Sequence, residues 1–259
     1  FPDLDNMTSG FQNSEFIVIG ARPSVGKTAF ALTMAANMAI HRKVPIGFFT
    51  LEMADMALMQ RLLSSEARIN SEKLRTGMLR PADFHNLTEA AGRIYEAPLF
   101  IDDTPNIKLL DLRAQARRMK SKEDIKALFI DYIGLIEPEN KANVPRHEQV
   151  AEISRSIKSL ARELQIPIIC LSQVGRQSEG KPPTLADLRE SGSIEQDADV
   201  VLFLHRERED SRDNRDGKSP GNVETDLVVA KQRNGPVGTV KLAFLPSYTK
   251  FESFSHEKP

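Results

Sequence analysis

The run Gly20-Ala21-Arg22-Pro23-Ser24-Val25-Gly26-Lys27-Thr28 has the spacing G-x-x-x-x-G-K-[ST], and those residue types suit the holding of a chain of phosphates. Gly20 and Gly26 are expected to open backbone conformations closed to residues with a β-carbon, so that successive N–H groups point inward at phosphate oxygens. A helix starting near Thr28 and Ala29 would add the positive end of its dipole. Lys27 is then the cation for the β- and γ-phosphates and the Thr28 hydroxyl a Mg²⁺ ligand, with Arg22, Pro23, Ser24 and Val25 completing the cradle.

Three more polar residues each close an apolar run. Leu128-Phe129-Ile130-Asp131 ends in a carboxylate placed either to hold Mg²⁺ through water or to cap the next turn. Phe48-Phe49-Thr50-Leu51-Glu52 ends in an acid that either orients and deprotonates an attacking water or opens a helix ahead of Met53. Gln173, after Ile169-Cys170-Leu171-Ser172, is either a sensor of a γ-phosphate or a turn residue.

These residues need a strand before each of them, and the chain supplies strands. Phe16-Ile17-Val18-Ile19 precedes the glycine turn, and residues 29–39 carry apolar side chains at helical spacing. Further strands are expected at 45–51, 99–101, 127–130, 166–171 and 200–204, with helices near 54–68, 81–96, 107–120 and 147–164. The last of these carries a stripe of Val150, Ile153, Ile157, Leu160, Ala161 and Leu164. Such alternation predicts an α/β fold with a mostly parallel central sheet flanked by helices. From residue 223 the pattern becomes strands alone, at 226–230, 239–244 and 250–254, which predicts an antiparallel extension at the sheet's edge. Two polar stretches, 206–222 and 175–183, read as loops, the second at the carboxyl end of a strand where ligands bind.

Length 259 with 40% hydrophobic residues fits one domain over 1–259. The single cysteine, Cys170, excludes a disulfide framework and reads as a core residue. No apolar run reaches 18 residues, so a cytoplasmic chain with no membrane contact is expected. The 35 basic and 36 acidic residues leave a net charge of −1, so any nucleic-acid contact must come from local placement. Five histidines show no ligand spacing. Arg113, Arg117 and Lys120 share a helix face that reads as solvated. The opening Phe1-Pro2-Asp3-Leu4-Asp5 reads as a turn without an initiator methionine, so a preceding domain is expected.

Together, Ala21 to Thr28, Leu51-Glu52-Met53, Ile130-Asp131-Tyr132, Leu171-Ser172-Gln173, Arg189-Glu190-Ser191-Gly192 and its continuation to Asp199, and Lys231-Gln232-Arg233-Asn234-Gly235 resemble the ATPase domain of the bacterial and phage replicative DNA helicases of the DnaB family. The resemblance spans nearly the whole chain. It implies a RecA-like P-loop NTPase that hydrolyses ATP with Mg²⁺ in a homo-oligomeric ring, commonly of six subunits, and moves on single-stranded DNA. By this resemblance Glu52 is the catalytic carboxylate, Asp131 the Mg²⁺ residue and Gln173 the γ-phosphate sensor. Lys231 and Arg233, which otherwise read as edge-strand charges, would reach the neighbouring subunit's nucleotide. Arg189, Glu190 and Gly192 would line the DNA path, with Arg176 and Lys181 adding to it. An N-terminal helical domain, a primase and a helicase loader are the further partners implied. The chain departs from the family pattern at Ile133-Gly134, where a leucine–glutamine pair is common. Two alternatives remain at this stage: a RecA-like recombinase or clock-type ATPase, and a nucleotide-dependent protein-binding switch. Asn140-Lys141-Ala142-Asn143 lacks the aspartate that a guanine-reading motif needs.

Overall fold

The computed structural model describes residues 1–139, 144–175, 182–188, 192–206 and 221–254, with Gly192 described by its backbone alone. Among them, nine strands form one sheet in the order β3-β2-β4-β5-β1-β6-β7-β8-β9. The parallel part comprises β1 (Phe16–Ala21), β2 (Ile46–Thr50), β3 (Leu99–Asp102), β4 (Ala127–Asp131), β5 (Ile168–Gln173) and β6 (Val200–His205). The antiparallel part is β7 (Val223–Gln232), β8 (Gly238–Leu245) and β9 (Lys250–Ser253), joined to β6 through β7. Both parts agree with the pattern of the sequence.

β1 lies between β5 and β6 and is buried along its whole length. Its side chains alternate between the faces. Ile17 and Ile19 join the core under α2 (Lys27–Ala36), whereas Phe16 and Val18 join the one under α6 (Leu109–Glu123) and α7 (Arg146–Leu164). All six residues of the expected stripe on α7 are buried. Each such Leu, Ile or Val contributes about 1.5–3 kcal/mol. Arg113 and Arg117 on α6 both pair with Glu163 of α7, but partly exposed ion pairs of this kind contribute about 1 kcal/mol or less. Apolar burial therefore holds α7 against the sheet. The arginines of that α6 face stay partly exposed, as a solvated face requires, while bridging two helices. Cys170 is wholly buried in β5, and burial pushes its thiol pKa far up.

Three local features depart from the pattern. The opening segment is helical, α1 (Pro2–Thr8), because proline is tolerated at a first helical position and Leu4 is buried against the core. α2 stops at Ala36 and continues as a π-helical turn, Asn37–His41. A short α4 (Ser71–Thr76) sits between α3 (Asp55–Ala67) and α5 (Pro81–Tyr95), its start capped by the Asn70 side chain, which accepts from the Glu72 and Lys73 N–H groups. No helix among the described residues is long and apolar enough to cross a membrane.

Candidate active site

The strand-end residues converge because their strands are neighbours in register. Gln173 is paired with Ala21, and Asp131 with Thr50. After β1 the chain turns through Ser24 (φ 67°) and Gly26 (φ 110°), both in the left-handed region, and enters α2 at Lys27. Gly26 is the N-cap and no side chain caps the helix, which leaves the first-turn N–H groups directed at the space an anion would fill. At Gly26 the glycine is required by its φ. Gly20 has another reason, which corrects the expectation. It lies inside β1 outside the left-handed region, and an added β-carbon would stand 2.6 Å from the Phe203 ring.

Lys27 is the hub. Its Nζ lies 3.2 Å from Asp131 Oδ1, 3.6 Å from Glu52 Oε2 and 4.1 Å from the centre of the Tyr132 ring. The Thr28 hydroxyl donates to Asp131 Oδ2 at 2.6 Å. Asp131 is fully buried and its Oδ1 accepts no hydrogen bond, so the Lys27 ammonium is its compensation. A buried carboxylate oxygen lacking a donor, beside a threonine hydroxyl, fits the oxygen-only donor set of Mg²⁺, which is completed by waters and phosphates. Glu52 is half exposed. Its turn is pinned by the Leu51 N–H donating to Asp131 O at 2.7 Å and by the Thr50 hydroxyl donating to Met53 O at 2.7 Å. This anchoring presents the carboxylate to the cleft, where Lys27 is its partner.

A cavity of about 490 Å³ brings Lys27, Thr28, Ala29, Glu52 and Gln173 together with Arg22, Pro23, Ser24 and Gly26. A larger cavity, about 580 Å³, opens beside Val44, Lys126 and Pro167, which precede β2, β4 and β5. It contains none of the candidate site residues. Ligands of open α/β sheets bind at the carboxyl ends of strands, so the smaller cavity is the candidate site. Two arginines that the sequence did not mark lie at it, one in its lining and one against the turn. Arg61 of α3 lines the cavity, and Arg206, beyond β6, donates to Ser24 O at 3.0 Å while lying over the Phe244 ring. Neither carries a motif, because both contacts join residues distant in the chain.

Lys231 and Arg233 lie elsewhere. In this chain Lys231 Nζ donates to the carbonyls of Glu195 (2.6 Å), Ala198 (2.7 Å) and Gln196 (3.4 Å). Arg233 donates to Gln196 O at 2.9 Å and its Nε pairs with Asp199 Oδ1 at 3.4 Å. Both therefore hold the end of α8 (Gly192–Asp197). Burial and the neighbouring Arg233 charge lower the Lys231 pKa. Gly192 opens α8. Arg189, Glu190, Arg176 and Lys181 fall outside the described residues, as do residues 140–143 and nearly all of the 206–222 stretch. Among the described residues no group of His, Cys, Asp and Glu forms a metal cluster.

A family model described as the DnaB-like helicase C terminal domain matches residues 1–253. The replicative DNA helicase DnaB of Treponema pallidum (strain Nichols) is 57% identical over 248 residues, covering 96% of this chain and 54% of that protein. The replicative DNA helicase DnaC of Bacillus subtilis (strain 168) is 46% identical over 254 residues, covering 97% and 55%. Among solved structures, a DnaB-like replicative helicase, described with its interactions with primase, superposes with a TM-score of 0.89 at 38% identity, covering 98% of this chain and 61% of that one. A second, described as an ATPase domain, gives 0.89 at 38% identity, covering 98% and 90%. The chain spans about half the length of the curated relatives it matches.

Proposed function

Since this chain belongs to the family of DnaB-like helicase C-terminal domains, we propose that it is the ATP-hydrolysing motor of a replicative DNA helicase, working in a homo-oligomeric ring, commonly of six subunits, on single-stranded DNA. One observation supports this most: Lys27 stands between the two acids, Glu52 and Asp131, at the head of an uncapped helix. In the working site the Lys27 ammonium turns from these carboxylates to the β- and γ-phosphate oxygens of ATP. Glu52 takes a proton from the water that attacks the γ-phosphorus as the bond to the ADP oxygen breaks. Thr28 and Asp131 would hold Mg²⁺, which would supply neutralisation of the triphosphate's negative charge. Gln173, at the rim of the same cavity, reports loss of the γ-phosphate.

Lys231 and Arg233 complete the site of the next subunit in this reading, and a cation donated in trans is worth about 10³ to 10⁵ in rate. Arg189, Glu190 and Gly192 grip the DNA backbone, so binding is indifferent to base sequence and weakens with salt. Primase and loader contacts belong to the same proposal. Mixing tests the shared site. Lys27→Ala subunits and Arg233→Ala subunits are each inactive alone, and together they regain ATPase activity because intact half-sites meet. No recovery in verified mixed rings overturns the proposal.

A further inference from the structure

A strand irregularity decides which way Lys231 points. In the β6–β7 ladder Leu202 pairs with Val229 but Val201 pairs with Lys231, so Ala230 is an extra residue. Leu227 and Val229 face the core under α2, and regular alternation would send the residue two beyond Val229 to that same face. The bulge re-aims it. Lys231 emerges on the opposite face, where its ammonium meets the last carbonyls of α8.

An ammonium has three N–H donors, and here three carbonyls of residues 195, 196 and 198 face it. Arg233 adds a bond to Gln196 O and a pair with Asp199, itself buried and tied to the Phe16 N–H and to Lys158. The negative end of a helix is where cations stabilise it. Every donor of Lys231 is thus committed inside its own chain.

We propose that Lys231 and Arg233 are positioning residues for α8 in their own subunit, and that reaching a neighbour's nucleotide makes them release it. The hand-over rests on the proposed function; the clamp on α8 does not. Ile194 and Ala198 stay buried, and the Ser154 hydroxyl donates to Asp197 at 2.7 Å from α7. Release therefore loosens the last turn of α8 without detaching the helix. α8 follows directly on Arg189-Glu190-Ser191 in sequence.

Amide hydrogen exchange over residues 193–199 tests both parts. Without nucleotide, Lys231→Met speeds exchange there about tenfold and Arg233→Ala, which removes fewer bonds and keeps the strand intact, about threefold. Unchanged exchange in both variants overturns the clamp. In wild type assembled with AMP-PNP and Mg²⁺, exchange over the same residues rises toward the Lys231→Met level, an effect that a purely structural lysine would not produce. Unchanged or slower exchange in assembled rings overturns the hand-over. If sedimentation finds no assembly with AMP-PNP, the shared site fails and the hand-over with it, while the nucleotide-free measurement still decides the clamp.

Discussion

At residue scale, the two glycines of the phosphate turn do different jobs, and this can be measured. Gly20→Ala pushes a methyl into the Phe203 ring at 2.6 Å, an overpacking that costs about 1–3 kcal/mol. Gly26→Ala meets Phe251 at a tight 3.2 Å, which asks the ring to give way slightly, and must also hold φ 110°, a strain of about 1–3 kcal/mol. In urea unfolding, adding Phe203→Leu recovers part of the loss in the first variant, whereas in the second it only removes core packing and lowers stability further. Asp131→Asn removes the buried partner of Lys27 while keeping an acceptor for Thr28. Its ATPase rate should fall by about 10² to 10³, the scale of losing one preorganised electrostatic group, and stopped assays across a Mg²⁺ series would show it. Lys27, Thr28, Glu52, Asp131 and Gln173 were legible in the sequence, because the first two close the glycine turn and the other three each end an apolar run. Arg61 and Arg206 were not, since only folding brings them to the turn. The expected role of Gly20 was wrong for the same reason: the Phe203 ring that excludes a side chain is 183 residues away in the chain.

At the scale of elements, the parallel strands were legible from apolar runs separated by helical spacing, and the three edge strands from the loss of that spacing. α1 was missed because a proline near a chain start suits a turn as well as a first helical residue, and what decides is the burial of Leu4. The π-helical turn at Asn37–His41 and the bulge at Ala230 leave no compositional trace. One link between elements carries its own prediction. Arg206 ties the end of β6 to the carbonyl of Ser24, a residue already at φ 67°, so Arg206→Ala loosens the turn without opening the core. A hydrogen bond from a charged donor is worth about 1.5–3 kcal/mol. Nucleotide affinity read by fluorescence titration therefore drops roughly tenfold or more, and the melting temperature falls by about 3–10 °C.

At the scale of the molecule, the proposed reaction centre is divided between two places in each chain: Lys27, Glu52 and Asp131 at one, Lys231 and Arg233 at another. ATPase activity per chain should then rise with protein concentration until assembly saturates. A specific activity that is flat across the assembly range measured by sedimentation would count against a site built by two subunits. The nearly neutral total charge, 35 basic against 36 acidic residues, gave no hint of a polyanionic partner, and the family motifs alone pointed there. The burial of Cys170, alone of its kind in 259 residues, has a practical side. With that thiol sealed in β5 and hard to ionise, a cysteine introduced anywhere on the surface becomes the single address for a fluorophore. Energy transfer between labelled copies can then time, without background, how the seams form and how α8 answers the nucleotide.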